Sequence, residues 1–192
     1  MDVVFERTGV RSYAVEIRRP GAPTLRMDPA PGFDPWFPHD LLHLVVEEQL
    51  GLTDGIYGRL ANGGTASTFS VSPVDRPKNK RAAARQLKRR DTALAHEEAN
   101  DFARSERATY IAWQDWLAHS RDSAHRAKAD SMAATAGAIL SRVGAEERSA
   151  LQNAFPRLRQ RITEATSLWS GTAIGDLIVV AWAPRSRGDR TR

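Results

Sequence analysis

The sequence predicts an α+β fold: an antiparallel sheet of about four strands, three N-terminal and one C-terminal, with helices packed on one face. Three observations carry this. Apolar and polar residues alternate with a period of two around Tyr13, Val15 and Ile17, the period of a half-buried strand. From about Lys80 to Trp169 the apolar residues recur at steps of three and four instead, the period of helices with one buried stripe. An apolar run then returns at 176–183, Asp-Leu-Ile-Val-Val-Ala-Trp-Ala. A lone strand is not stable, so this one must pair with the N-terminal strands and bring the two ends of the chain into one sheet.

Taken in order, Val3 and Phe5 open the sheet, Tyr13 to Ile17 form its second strand, and Leu25 and Met27 its third. Thr8-Gly9-Val10-Arg11 and Pro20-Gly21-Ala22-Pro23 supply the turns. Residues 28–38 hold Pro29, Pro31, Pro35 and Pro38, which exclude the interior of a helix or strand. With Phe33, Trp36 and Phe37 the stretch reads as an ordered loop over the next helix. That helix should run from about Pro38, a first-turn residue, to Leu50, with Gly51 as its stop. Thr53 and Asp54 are positioned to cap a shorter helix through Leu60. Residues 62–80 are rich in Gly, Ser, Thr and Pro, lack periodicity, and read as a mobile loop.

Beyond the loop, one long helix is expected over about 80–118, with room for a single break, and a second over about 123–143. A third starts near Ala145 on the rhythm Leu151, Phe155, Leu158, Ile162, Ala165, Trp169. Pro156 falls inside that rhythm and predicts a kink or restart. The tryptophans 113, 116, 169 and 182 sit on core stripes and read as packing. The domain expectation is a single α+β unit over 1–184 and a disordered basic tail over 185–192.

Bulk properties bound the function. The 192 residues are 41% hydrophobic and 27% charged, the composition of a globular protein that can bury a core. There is no cysteine, so disulfides, thiolate metal sites and cysteine nucleophiles are excluded. Neither a signal-peptide pattern nor a run long enough to span a bilayer is present, and the expected location is the cytoplasm. The net charge of +5 divides into −3 over residues 1–52 and +8 over 53–192. Arg76 to Arg90 holds eight basic residues in fifteen and no acid. This run is expected to contact polyanions weakly at most, since no aromatic platform accompanies it. No phosphate-binding loop, dinucleotide fingerprint or Gly-x-Ser-x-Gly elbow occurs.

The stretch with chemistry is His39-Asp40-Leu41-Leu42-His43-Leu44-Val45-Val46-Glu47. On a helix His39, His43, Glu47 and Asp40 share an arc of roughly 100°. Imidazoles at i and i+4 are how a helix presents two nitrogens to one cation, so His39 and His43 are the candidate metal ligands. His39 and Glu47 lie about 12 Å apart along the axis, too far for one ion without distortion. Asp40 and Glu47 are therefore the candidate catalytic acids and bases, with the third ligand or the orienting of a ligand as their alternative roles. Leu42, Val45, Val46 and Gln49 fill the opposite arc, and Leu44 and Leu50 flank the His stripe. That predicts burial on several sides, where ionisable groups need partners.

The His-Asp-x-x-His spacing resembles the zinc signature of the small helical protein family that serves coenzyme Q biosynthesis. There a glutamate follows twelve residues after the second histidine; here that position is Gly55, with Asp54 beside it. It is also similar to the zincin motif His-Glu-x-x-His, in which the glutamate is the general base. Asp40 is one methylene shorter and no third-ligand motif follows, which argues against a protease of that type. The resemblances imply a divalent metal, zinc foremost. The expected function is a metal-dependent hydrolase or lyase acting on a small molecule of unknown identity. The alternative is a non-enzymatic binding or regulatory module, with a structural His cluster and the basic helix against an acidic partner.

Overall fold

The N-terminal strands β1 (Asp2–Gly9) and β2 (Ser12–Arg18) form an antiparallel hairpin, joined on one side by β3 (Leu25–Met27). Pleating sends Val3, Phe5, Val15, Ile17 and Leu25 to one face, where each is fully buried. The opposite face carries charge. Glu16 lies directly across from Arg26, and Arg26 also reaches Glu6 at 2.8 Å and Asp28 at 2.7 Å. The C-terminal strand β5 (Leu177–Ala181) pairs antiparallel with β1, so the two ends of the chain do meet in one sheet. A two-residue strand, β4 (Ser70–Val71), adds to β3 and gives the order β4-β3-β2-β1-β5. The sheet thus has five strands, one more than the periodicity revealed, because two residues are too few to show alternation.

The structure is a computed structural model that describes residues 1–32, 34–75, 80–97 and 99–183, without the side chains of 80, 83, 95–97 and 99–101. The expected basic tail, Phe33 of the proline-rich loop and residues 76–79 of the basic run lie outside the described residues.

Helix α1 (His39–Leu50) begins at Pro38 as N-cap and ends at Gly51, whose φ of 63° is the left-handed cap that glycine favours. Nine of its twelve residues are buried, so its apolar circumference is enclosed on several sides. Helix α2 (Ile56–Ala61) starts at Gly55 rather than at a Thr53 or Asp54 cap, for a reason that belongs to the site. The loop that follows contains β4 and a 3-10 turn at Pro73–Asp75.

Two helical segments, α3 (Lys80–Glu97) and α4 (Ala99–Ala118), cover the span of the expected long helix, and α5 (Ser123–Arg142) and α6 (Ala145–Ser170) follow. Pro156 does not interrupt α6. Its ring lies on the exposed side, while Leu151, Leu158 and Ile162 are buried on the other and hold the helix through the missing hydrogen bond. The terminal strand is also less buried than its composition suggests. β5 is an edge, with Ile178 inside and Leu177 and Val179 about half exposed. One apolar cluster joins the inner face of the sheet to α1, α2, α4 and α6, and Trp113, Trp116, Trp169 and Trp182 are part of it. α1 packs against both α4 and α6, which carries its histidines to the α4 surface.

Candidate metal centre

Of the four candidate residues on α1, Asp40, His43 and Glu47 are buried and His39 alone is exposed. Each buried group has partners inside the protein, as the desolvation cost of an unpaired one requires.

Glu47 is fully buried. Its Oε1 accepts from the Ile56 amide at 2.7 Å and its Oε2 from the Tyr57 amide at 2.9 Å. These are the first N–H groups of α2, which have no partner within the helix. Glu47 is thus the cap of α2, and the anion sits at the positive end of the helix. Gly55 makes room for it, since a Cβ there would lie 2.5 Å from the carboxylate. The expected Thr53 or Asp54 cap is replaced because a carboxylate from α1 already occupies that end. Burial nevertheless pushes Glu47 up to about 7, against the pull of the donated hydrogen bonds.

The third donor to Glu47 comes from α4. Ser105, also fully buried, donates its hydroxyl to Oε1 at 2.7 Å. The same Ser105 oxygen lies 3.0 Å from His43 Nδ1, and the Thr109 hydroxyl lies 3.2 Å from that nitrogen. With Glu47 ionised, the Ser105 proton is committed to it, and Ser105 offers His43 a lone pair. His43 Nδ1 therefore carries the proton, and Nε2 keeps its own lone pair. Burial, and then the neighbouring His39, pushes His43 down to about 3, so the ring is neutral across the ordinary pH range.

The free Nε2 of His43 points at two partners. His39 Nε2 is 3.1 Å away, with the rings edge to face, and Glu106 Oε2 is 3.7 Å away. With His43 neutral, the contact to Glu106 is not an ion pair. Two imidazole nitrogens this close share either a proton or a cation. The ligand atoms of His39, His43 and Glu106 all lie within 4.8 Å of one another. Donor atoms around a tetrahedral zinc are about 3.3 Å apart, so the three form a group that could hold a metal ion. His39 and Glu106 are exposed and His43 is buried, which leaves one side of the group open to solvent.

Asp40 and Glu47 are not among these three. The Asp40 Oδ2 accepts from Tyr13 at 2.6 Å, and the Asp40 carbonyl accepts from Tyr57 at 2.8 Å. Burial raises Asp40 above the usual carboxylate range and, together with the Asp40 charge, raises both phenols. Ser105, Glu106, Thr109, Tyr13 and Tyr57 were not predicted from the sequence. One signal for α4 was available: small hydroxyls four residues apart at 105 and 109, on a stripe shared with Trp113 and Trp116, call for a buried polar partner.

Comparison with protein-family models, with curated proteins and with solved structures finds no match. The functional reading rests on the chemistry of the site itself.

Proposed function

We propose that His39, His43 and Glu106 bind one divalent ion, zinc foremost, and that the chain is a metal-dependent enzyme of hydrolytic or lyase type acting on a small molecule. The observation that supports this most is the arrival of Glu106 from α4 beside the two α1 histidines. Two imidazoles and a carboxylate are a zinc donor set, and three protein ligands with an open fourth side is the pattern of catalytic rather than structural zinc. An ion held there supplies Lewis acidity at neutral pH. Of the two acids expected to manage protons, Glu47 reaches the ligands through Ser105 and His43, while Asp40 is committed to Tyr13. Glu47 is accordingly the group that holds His43 in its ligating tautomer, as a carboxylate behind a metal-bound histidine does.

A second reading has its own support. Glu47 caps α2 and Asp40 joins two tyrosines to α1, roles that a structural polar cluster in a binding module fulfils without any metal. Elemental analysis of protein purified without a His tag separates the two. The metal reading expects about one ion per chain, lost in a His39→Ala/His43→Ala double variant and in Glu106→Gln. Wild-type protein that carries no metal and gains no thermal stability on adding zinc supports the structural reading. Iron in place of zinc keeps the site and redirects the chemistry, since two histidines and a carboxylate also ligate iron(II) in oxygenases.

A further inference from the structure

A second feature lies away from the histidines and shares no residue with them. Between the β2–β3 turn, the end of α2 and α3 runs a groove of about 860 Å³, within the size range of small-molecule sites. Among the described residues that line it, three are arginines, Arg19, Arg89 and Arg90, and none is acidic. Arg19 donates to the Leu60 carbonyl at 2.6 Å, and Arg90 to the Asn62 carbonyl at 2.8 Å. Both point their guanidiniums at the same loop. The position a Cβ would take on Gly63 is 3.8 Å from Arg90 Nε and 3.9 Å from Arg19 Nη1. Gly63, with a φ of 93°, thus leaves the space into which both cations converge.

The neighbouring acid keeps its charge but is directed at the loop and not at the guanidiniums. Asp91, next along α3, accepts from the Thr65 amide at 2.6 Å and from the Thr65 hydroxyl. Arg19 Nε is buried without a hydrogen-bond partner among the described residues, and burial pulls this guanidinium below its usual value. Arg89 is exposed and makes no ion pair with a described residue. The backbone amides of Gly63 and Gly64 donate inward, to Leu60 and Arg59, so recognition in the groove falls to side chains. Pro23, Val71 and Leu87 supply apolar wall beside the charge.

We propose that this groove binds a small molecule bearing a phosphate or diphosphate group, with Arg19, Arg89 and Arg90 as the anion ligands. A phosphate ester carries about −1.5 to −2 charges at neutral pH, a better match to three guanidiniums than a single carboxylate. Guanidinium forks also donate in pairs to phosphate oxygens. Converging cations around one point favour a compact anion over an extended one. A nucleic-acid strand would instead draw on the whole basic face of α3.

The test is calorimetric titration of the purified chain with inorganic pyrophosphate at about 150 mM salt, where diffuse attraction is screened. The expected result is saturable binding of one pyrophosphate per chain. Arg89→Gln and Arg90→Gln should each weaken it on the order of tenfold or more. Arg157→Gln, a loss of the same charge at an exposed position of α6, should change it less than about twofold. Three outcomes overturn the proposal. The first is an absence of saturable binding by wild type. The second is equal weakening by all three variants, or binding of an oligonucleotide where pyrophosphate fails, which makes the face a polyanion surface. The third is loss of binding in the His39→Ala/His43→Ala variant but not in the arginine variants, which places the pyrophosphate at the α1–α4 site.

Discussion

Replacing Ser105 by alanine separates the two things the buried network does. The substitution deletes a 2.7 Å bond to Glu47 and a 3.0 Å contact to His43, both fully enclosed. His43 keeps Thr109 at 3.2 Å from Nδ1, so it is not stranded. Glu47 keeps the two α2 amides but loses its third donor. A buried polar group left short of a partner costs about 1–3 kcal/mol, and the void left by one oxygen adds little. The expected loss of stability is therefore about 2 kcal/mol, read as a lower urea midpoint at unchanged m-value.

The second effect is on the tautomer. Thr109 can donate to Nδ1 or accept from it, so alone it fixes neither form. Ser105 fixes Nδ1–H because its own proton goes to Glu47. In Ser105→Ala the tautomer with the proton on Nε2 becomes accessible, and that tautomer cannot ligate through Nε2. Removing such a support behind a metal-bound histidine weakens metal affinity by about 10–100-fold. Competition against a chromophoric chelator measures it directly. An Ala variant that loses stability but binds zinc as tightly as wild type refutes the tautomer argument and leaves Ser105 as packing. An Ala variant unchanged in both measurements refutes the network.

Three further outcomes are expected. Glu106→Gln removes an exposed carboxylate, so stability should stay within about 0.5 kcal/mol while zinc affinity in the chelator assay falls at least about tenfold; undiminished affinity removes Glu106 from the ligand set. Gly55→Ala places a Cβ 2.5 Å from the Glu47 carboxylate and must displace either that group or the first turn of α2; a urea titration should show a loss of about 1–3 kcal/mol, and an unaffected variant contradicts the capping arrangement. Glu47, raised from 4.5 to about 7 by burial, takes up its proton more readily folded than unfolded. Its stabilising contribution is therefore complete below pH 4.5 and disappears as the pH rises through 7. The stability of metal-free wild type minus that of Glu47→Gln should fall by on the order of 3 kcal/mol over that window, and a flat or rising difference contradicts the burial effect.

The parts of the fold that could be read from the sequence are those whose information is local. Tyr13, Val15 and Ile17 announce a strand by alternation, and their burial follows from their own spacing. Pro38 and Gly51 mark both ends of α1 because a ring-locked φ and a left-handed φ are properties of single residues. Where tertiary contacts override local chemistry, the reading fails. Pro156 does not restart α6, which is held by Leu151, Leu158 and Ile162 on its far side. Leu177 and Val179 look like core and lie at an edge, because an apolar composition cannot say how many faces a neighbour covers.

The site divides along the same line. A helix displays its own ligands at fixed angles, so the juxtaposition of His39 and His43 follows from a step of four. Glu47 lies on the same stripe, and there the helix arithmetic misleads. It places the carboxylate one turn further on but cannot reveal that the α2 amides and Ser105 take up both its oxygens. The group that completes the constellation, Glu106, is more than sixty residues from His43, and the charge pattern around it looks like any solvated helix face. Its neighbour Ser105 distinguishes it. On α4 a buried serine and an exposed glutamate stand side by side, so one turn of helix delivers the proton acceptor behind His43 and the carboxylate in front of it. A single rotation of α4 about its axis would remove both at once. The docking of α4 on α1 is thus the step that turns two neighbouring histidines into a candidate metal centre, and substitutions at Ala108 or Ala112, buried on α4 and without polar side chains of their own, should disturb the centre through that docking.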